Sequence, residues 1–285
     1  MLHPSTLQLL RFHFSLFLVP VYLFALSQLP SVDWSKAASI FFILHVLVYP
    51  ASNGYNSYMD RDATPIGGLA HPLQPTRQLF FVSLLMDVIS VLASFLISTI
   101  FAVGILLYIL ASRAYSYRGI RLKQYPFAGF LTVFIFQGAV IFWLTYHGAH
   151  TDLTLSVPLV PLLISSCLIG ALYPLTQIYQ HAEDKRDGVV TISAAFGKRG
   201  TFVLSIVLFV LAAGLLLSWF RSRNELNLFY IFLLVTLPVV SFFLYWMIKV
   251  YRDERAADFA HSLRMNVIAT FCTAGYFATL IILKH

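Results

Sequence analysis

Two polar stretches of this chain repeat the same order of residue types 124 residues apart. "YPASNGYNSYMDRD" begins at Tyr49 and "YPLTQIYQHAEDKRD" begins at Tyr173. Each has Tyr-Pro, an amide, a tyrosine, a second amide and an aspartate at identical spacing. The matched pairs are Tyr49 and Tyr173, Pro50 and Pro174, Asn53 and Gln177, Tyr55 and Tyr179, Asn56 and Gln180, and Asp60 and Asp184. Both stretches end apolar runs, so two membrane-type segments end in the same chemical groups.

The amides and the aspartate of each copy are spaced to share one helix face. Asn53, Asn56 and Asp60 stand at positions i, i+3 and i+7, which lie on one side of a helix. The additional acids beside the two copies are Asp62, Glu183 and Asp187. Asp60, Asp184 and these three account for five of the twelve Asp and Glu residues in the chain. We therefore expect two acidic stripes that face each other across a cavity.

Crowded carboxylates at a membrane boundary repel one another and are costly to desolvate, and hard cations with oxygen ligands relieve both costs. Mg²⁺ suits such a site best because it takes one or two carboxylates and completes its shell with water and phosphate oxygens. The predicted metal-binding residues are Asn56, Asp60, Asp62, Gln180, Glu183, Asp184 and Asp187, of which Asp60 and Asp184 are the predicted catalytic pair. The alternative is that these residues are solvated helix ends.

Four basic side chains are concentrated in the segment "SRAYSYRGIRLKQYP", which lies between the two polar copies in the sequence. Arginine forks bind phosphate oxygens through two hydrogen bonds, so acids that hold Mg²⁺ beside these bases indicate a diphosphate site. The predicted diphosphate-binding residues are Asn53, Arg118, Arg121, Lys123 and Lys185. The alternative is that the bases only reflect the positive charge of a cytoplasmic membrane face.

The elements that must position these residues are membrane helices. The chain has 285 residues, of which 59% are hydrophobic and 11% charged, with a mean hydropathy of +0.80. This composition excludes an average soluble domain and indicates an integral, multi-pass membrane protein. Nine spans are predicted: Leu10–Leu29, Ala37–Tyr58, Leu79–Leu96, Ile100–Ala114, Phe127–Tyr146, Leu155–Tyr179, Thr201–Phe220, Leu228–Val250 and Met265–Leu283.

The third and fourth spans are divided because a single helix from Leu79 to Ala114 would be roughly 54 Å long, beyond a hydrocarbon core of about 30 Å. With this division, fifteen Lys and Arg residues lie on the N-terminal side of the membrane and four on the other. The positive-inside rule then places the N-terminus and both acidic stretches in the cytoplasm. We predict an all-α bundle of nine transmembrane helices around a central cavity, forming one domain over residues 1–285.

The segment "QHAEDKRDGVVTISAAFG" resembles the second aspartate-rich motif of the UbiA-type intramembrane prenyltransferases. Asp184, Gly188, Thr191 and Gly197 match its spacing. In the first motif, Asn56 and Asp60 fit the family pattern, whereas Thr64 stands where a second aspartate is usual and Asp62 comes two residues early. The resemblance covers essentially the whole chain. It implies nine helices and a cytoplasmic site that binds a prenyl diphosphate through Mg²⁺.

The implied reaction is transfer of a prenyl group to a lipid-soluble or aromatic acceptor in the membrane. Tyr55, Tyr179 and Asp87 are predicted to line the pocket for the allylic cation and the acceptor, although Asp87 could equally be an acid hydrogen-bonded within the bundle. The loop "DATPIGGLAHPLQP" is predicted either to cover the diphosphate or to be an inert connector. A terpene cyclase of the same fold and a membrane transporter are alternatives.

The predicted partners are therefore a prenyl diphosphate, a hydrophobic or aromatic acceptor and the lipid bilayer. Nucleic acid is not implied, because the net charge of +7 follows from membrane topology. The predicted location is a bacterial inner membrane with the active site facing the cytoplasm.

Overall fold

The computed structural model describes residues 2–284, so the two end residues of the predicted domain lie outside it. Nine helices in this range are long and apolar enough to cross a membrane, which confirms the predicted all-α bundle. They are α1 (Pro4–Ser27), α2 (Trp34–Asp60), α3 (Arg77–Ser94), α4 (Thr99–Ser116), α5 (Pro126–Ala149), α6 (Leu159–Gln177), α7 (Ile192–Ser222), α8 (Leu226–Arg252) and α9 (Phe259–Lys284). The single domain and the cytoplasmic N-terminus stay predictions.

The predicted break between the third and fourth spans is present. α3 ends at Ser94 and α4 begins at Thr99. The Ser98 side chain accepts a hydrogen bond from the backbone N–H of Phe101 at 2.9 Å, which satisfies a free N–H group in the first turn of α4. Most of the nine helices extend past the apolar runs, because helical backbone continues outside the hydrocarbon layer. The largest extension is in α7, which begins at Ile192 instead of Thr201.

The prediction that the sixth span reaches Tyr179 is wrong. α6 ends at Gln177, whose carbonyl accepts a hydrogen bond from the Gln180 N–H at 2.9 Å in a tight turn. A separate short helix, His181–Arg186, follows. The first polar copy is therefore one continuous helical stripe, whereas a turn divides the second copy between two helices.

Several helices carry irregular turns. α2 and α5 contain wide π-helical segments at Ile43–Val48 and Phe134–Val140. α1 is interrupted at Arg11, which has a left-handed backbone, and α7 bends at Gly197, whose φ is 69°. Irregular backbone at membrane depth is tolerated where it is covered by protein or lines a cavity.

The packing closes the bundle into a ring. α1 packs against α5 and α9, and the buried rings of Phe24, Phe142 and Phe277 meet in this contact. α2 packs against α3, and α6 packs against α7. At one end of this ring, the end of α2 and the segment after α6 bring the two polar copies together around one cavity.

Candidate active site

Both polar copies line one cavity of about 200 Å³ at the ends of α2, α4, α5 and α6. The lining residues from the two copies are Asn53, Asn56 and Asp60 from the first and Tyr173, Gln177, Gln180 and Asp184 from the second. Asp62, Glu183 and Asp187 line the same cavity. The structure therefore brings together all seven predicted metal-binding residues, although α6 does not carry the second copy to its end.

Asp60 is the last residue of α2, where the unpaired helix carbonyls already concentrate negative charge. Its side chain is only 6% exposed. It forms ion pairs with Lys123 and with Arg121, the latter at 3.7 Å, and it accepts a hydrogen bond from the Asn56 amide at 2.9 Å. The segment between α4 and α5 thus supplies the positive charge that this helix end needs.

The short helix carries the acids of the second copy. Glu183 pairs with Arg186 on the same helix. Asp187 pairs with Arg121 and, at 3.6 Å, with Arg118. Arg121 therefore bridges the acids of both copies, since it also contacts Asp60. A single guanidinium connects the two halves of the cavity.

The neighbouring bases do not satisfy every carboxylate oxygen at the cavity. Asp60 Oδ1 and Asp184 Oδ2 are buried and form no hydrogen bond with the part of the chain that the structure describes. Burial, with a smaller contribution from the charge of Asp60, raises the pKa of Asp62 to about 6. Burial raises the pKa of Asp184 to about 7 against the opposing charge of Lys123, with Asp62 and Asp60 contributing in the same direction as burial. Crowded carboxylates with raised pKa values and unsatisfied oxygens favour an additional cation.

The donor set fits a hard cation such as Mg²⁺. Carboxylate and amide oxygens are its preferred protein ligands, and two of the carboxylate oxygens here are free of hydrogen bonds. No three His, Cys, Asp or Glu side chains within residues 2–284 already stand together in a geometry that could hold a metal ion. Binding would thus require the side chains to move together, and Asp60 to turn away from Lys123 and Arg121.

An aromatic wall lies beside the acidic residues. The cavity is also lined by Tyr108, Tyr115, Phe136 and Gln137. The Tyr115 and Tyr173 hydroxyls are hydrogen-bonded to each other, and the Gln177 amide donates to the Tyr173 hydroxyl at 2.7 Å. Gln137 could have been found in the sequence as a lone amide in the fifth apolar run, but nothing local marks Tyr108 or Tyr115.

Arg11 is a further cavity residue that the sequence interpretation assigned only to topology. It is buried and lines the cavity. Its guanidinium donates to the carbonyl of Asn53 at 3.2 Å and to that of Gly67 at 3.4 Å. It is the only Lys or Arg in α1, and this isolation within an apolar helix is the signal that could have identified it.

The chain matches the UbiA prenyltransferase family over residues 16–268. It belongs to this family. A UbiA homolog from Archaeoglobus fulgidus bound to DMAPP and Mg²⁺ is 17% identical and superimposes with a TM-score of 0.72, covering 98% of this chain and 99% of that one. The apo structure of a UbiA homolog from Aeropyrum pernix K1 is also 17% identical, with a TM-score of 0.67 and coverage of 95% and 97%.

A digeranylgeranylglyceryl phosphate synthase structure is 16% identical, with a TM-score of 0.60 and coverage of 98% of this chain and 96% of that one. At these identities the neighbours establish the fold. No curated protein matches the chain in sequence.

In this UbiA family member, the loop between α2 and α3 packs against α1 and reaches the cavity. Ile66 and Gly67 line the cavity. The Gln8 side chain holds the loop by donating to the His71 carbonyl at 3.2 Å and accepting from the Leu73 N–H at 2.8 Å. These contacts hold the loop beside the cavity, and whether it covers the diphosphate or is an inert connector stays a prediction.

Other predicted site residues lie outside the cavity lining of this UbiA family member. The Arg113 guanidinium lies over the Tyr55 ring, with its Cζ atom 4.1 Å from the ring centre. Asp87 forms an ion pair with the same guanidinium. Tyr179 is half-buried but does not line the cavity, and Lys185 is exposed. The assigned roles of these residues stay predictions, and for Asp87 the observed contact is the alternative that the sequence left open.

Proposed function

We propose that this protein transfers a prenyl group from a prenyl diphosphate to a hydrophobic or aromatic acceptor within the membrane, with Mg²⁺ as the cofactor. The observation that carries this proposal is the convergence of both acidic copies on one buried cavity, beside basic side chains and an aromatic wall. The A. fulgidus homolog bound to DMAPP and Mg²⁺ supports it, because that protein shares the fold.

The charge balance of the cavity favours a cation together with a diphosphate. Five carboxylates lie at the cavity, and the basic side chains that pair with them or line the cavity are also five: Arg11, Arg118, Arg121, Lys123 and Arg186. A diphosphate alone would add negative charge to a site whose bases are already paired with its acids. When bound, Mg²⁺ would neutralise the charge that develops on the departing diphosphate. Asp60 and Asp184 are the residues that would hold it, because each has a free buried oxygen.

The basic residues have a separate task. Lys123 and Arg121 now engage Asp60, with their side chains only 11% and 8% exposed. Both carry donors that can turn to phosphate oxygens, and Arg121 would then exchange its contacts with Asp60 and Asp187 for a charge-assisted fork to the diphosphate. We therefore assign them to binding the diphosphate and to stabilising its charge as the allylic C–O bond breaks.

The remaining walls suit an allylic cation. Tyr108, Tyr115, Tyr173 and Phe136 line the cavity and offer ring faces, and each cation–π contact contributes about 0.5 to 2 kcal/mol. The loop at Ile66 and Gly67 restricts access of water, which would otherwise quench the cation. The acceptor would then attack the cation, and the base that removes its proton is unassigned.

The test is release of diphosphate by the purified protein in lipid, with and without Mg²⁺, from prenyl diphosphates of increasing chain length. We expect Mg²⁺-dependent release in the wild type and at least a 100-fold loss in Asp60→Ala and in Asp184→Ala. Asp152→Ala is the matched control, because Asp152 is exposed in the loop between α5 and α6, away from the cavity lining. Its release rate should stay within twofold of the wild type.

The organic product then separates the remaining alternatives. A prenylated acceptor indicates a transferase, and a cyclic hydrocarbon formed without acceptor indicates a terpene cyclase. Release that neither Asp60→Ala nor Asp184→Ala reduces would refute the proposed site. If the protein releases diphosphate from no prenyl diphosphate of any chain length, a transport or binding function is favoured instead.

We also propose that the site faces the cytoplasm of a bacterial inner membrane. The excess of Lys and Arg on the acid-bearing side supports the orientation. Accessibility of a cysteine placed at Lys185, measured with a membrane-impermeant reagent in intact cells and in lysed cells, tests it. Labelling in intact cells would contradict the proposed orientation.

A further inference from the structure

Two buried polar groups of α2 have no hydrogen-bond partner between residues 2 and 284. They are the Nε2 atom of His45 and the hydroxyl of Tyr49. The two residues are only 3% and 2% exposed, and their rings meet edge to face with centroids 5.0 Å apart. Buried polar groups are nearly always paired, so two unpaired groups on touching side chains indicate a role beyond packing.

The tautomer of His45 is fixed by a contact between α1 and α2. Its Nδ1 atom lies 3.0 Å from the Ser15 carbonyl oxygen, which can only accept, so Nδ1 carries the hydrogen. The Ser15 hydroxyl donates in return to the His45 carbonyl at 3.0 Å. The Nε2 atom therefore has a free lone pair that can take up a proton.

Aromatic side chains connect His45 to the acidic cavity. The Tyr49 ring also meets the Tyr108 ring, at a centroid distance of 6.0 Å. Tyr108 lines the cavity, and its hydroxyl is hydrogen-bonded to the side chain of Gln137, another lining residue. Neither His45 nor Tyr49 belongs to the cavity lining. A row of polar aromatic groups therefore runs from the cavity wall through Tyr49 to a buried imidazole.

Both ends of this row lie in wide π-helical turns. His45 is the one polar side chain of Ile43–Val48, and Gln137 is the one polar side chain of Phe134–Val140. A π-helical turn interrupts the regular hydrogen-bond pattern of a helix and is frequent at functional sites. The two irregular turns thus coincide with the two ends of the row.

The proposed reaction must release one proton. The allylic cation accepts an electron pair from a carbon or an oxygen of the acceptor, and the adduct then carries the positive charge. When that atom loses its hydrogen as a proton, the electron pair of the broken bond stays with the product. The cavity acids are assigned to Mg²⁺, and a carboxylate that holds a metal ion competes poorly for protons. The proton therefore needs another acceptor.

We propose that His45 takes up this proton through Tyr108 and Tyr49. This inference rests on the proposed prenyl transfer and deepens it by assigning the base. The acceptor gives its proton to the Tyr108 hydroxyl oxygen, and each hydroxyl passes its own proton to the next group. Tyr108 and Tyr49 end unchanged, and His45 ends protonated at Nε2. The proton returns through the same groups to the cavity and to water after the products leave.

Water held by the unpaired groups completes the row. A buried water needs two to four polar partners, and the Tyr49 hydroxyl and His45 Nε2 are two that the rest of the described chain leaves free. The adduct is a strongly acidic cation, so a neutral imidazole suffices to deprotonate it. The position of His45 behind Tyr49 keeps the imidazolium charge away from the allylic cation, which a like charge would destabilise.

The experiment separates ionisation of the prenyl diphosphate from proton removal. Diphosphate released without acceptor reports ionisation. Prenylated product formed per diphosphate released reports the later step, measured with the phenol or long-chain alcohol that the wild type prenylates fastest. His45→Asn keeps an N–H donor for the Ser15 carbonyl but has no atom in place of Nε2. We expect acceptor-free release within about threefold of the wild type, and product per diphosphate lower by about 10-fold or more.

Tyr49→Phe tests the middle of the row and keeps the ring contacts. The hydroxyl has no partner in the described chain, so its removal breaks no hydrogen bond and should not lower stability. We expect the same fall in product per diphosphate as in His45→Asn. The matched control is Thr145→Val, which removes another buried, unpaired hydroxyl of the described chain, from a part of α5 outside the cavity lining. It should leave both measurements unchanged.

Equal product per diphosphate in the wild type, His45→Asn and Tyr49→Phe would overturn the proposal. A loss of acceptor-free release in Tyr49→Phe as large as its loss of product would also overturn it, because the hydroxyl would then support ionisation. If His45→Asn does not fold, Tyr49→Phe alone decides between these outcomes. The proposed function is judged on the wild type: if it prenylates no acceptor, the transferase function and this inference fail together.

Discussion

Replacing Arg113 by Met tests whether the Arg113–Asp87 pair stabilises the fold or takes part in acceptor chemistry. The pair joins α3 to α4, and the two side chains are 14% and 10% exposed. The Arg113 Nε donates to Asp87 Oδ2 at 3.0 Å, and the guanidinium also lies 4.1 Å from the ring centre of Tyr55. In Arg113→Met, Asp87 is a buried carboxylate without a counter-charge.

The expected loss of stability follows from protonation of Asp87, which removes the buried negative charge at the lowest free-energy cost. An aspartate with an ordinary pKa of about 3.9 takes up a proton at pH 7 at a cost of about 4 kcal/mol, because each pKa unit corresponds to about 1.4 kcal/mol. This agrees with the loss of about 3 to 5 kcal/mol that accompanies removal of one partner from a buried ion pair. We expect Arg113→Met to lose about 4 kcal/mol of unfolding free energy at pH 7. At pH 5 the protonation costs only about 1.5 kcal/mol, so most of the loss should disappear.

The assay is unfolding in detergent micelles by increasing fractions of SDS, followed by tryptophan fluorescence at both pH values. The double variant Asp87→Leu/Arg113→Met removes both charges and should be at least about 2 kcal/mol more stable at pH 7 than Arg113→Met alone. A double variant no more stable than the single one, or a loss in Arg113→Met that is the same at pH 5, would refute the reasoning. If the folded double variant releases diphosphate normally but no longer prenylates an acceptor, Asp87 has the acceptor role that the sequence suggested.

Two further substitutions test the packing and the positioning of the site. A Cβ on Gly138 would overlap the backbone of Ser166, so Gly138→Ala should lower the free energy of unfolding by about 1 to 3 kcal/mol in the same SDS titration. Gly214→Ala is the control: a Cβ there meets nothing within 4 Å, so this variant should be neutral or slightly stabilising. The His181 ring contacts the Ser193 hydroxyl at 2.8 Å and fixes the short helix against α7, so His181→Phe should raise the Mg²⁺ concentration for half-maximal diphosphate release about 10-fold or more. His181→Gln should restore part of this affinity, and equal behaviour of the two variants would contradict a positioning role.

The parts of the fold that depend on local pattern could be predicted from the sequence. Span number follows from apolar run length, and the break before α4 follows from the thickness of a bilayer. The stripe of Asn53, Asn56 and Asp60 follows from helical periodicity alone, because these residues all lie within α2. The same periodicity places Tyr55 about 200° around the helix from Asn53, away from the stripe. Its position under Arg113 and outside the cavity lining is therefore consistent with helix geometry.

The remaining features depend on long-range contacts that no local pattern encodes. The turn after Gln177 is formed within a polar sequence that also favours a helix, so hydropathy gave no boundary there. Arg11 enters the site because the loop carbonyl of Gly67 and the α2 carbonyl of Asn53 meet its guanidinium. Such contacts join residues more than forty positions apart and can only be read from the folded chain.

The duplicated signature does not produce two equivalent half-sites. Asp60 ends a long helix, where the free carbonyls oppose a carboxylate, and it requires Lys123 and Arg121 beside it. Asp184 stands on a separate six-residue helix past the end of α6 and forms no ion pair with any residue between 2 and 284. A diphosphate that attracts Lys123 and Arg121 would therefore free the first acid, whereas the second needs no such exchange. We therefore predict that Asp184 is available to a cation before the substrate enters, and that Asp60 becomes fully available only when Lys123 and Arg121 turn to the diphosphate.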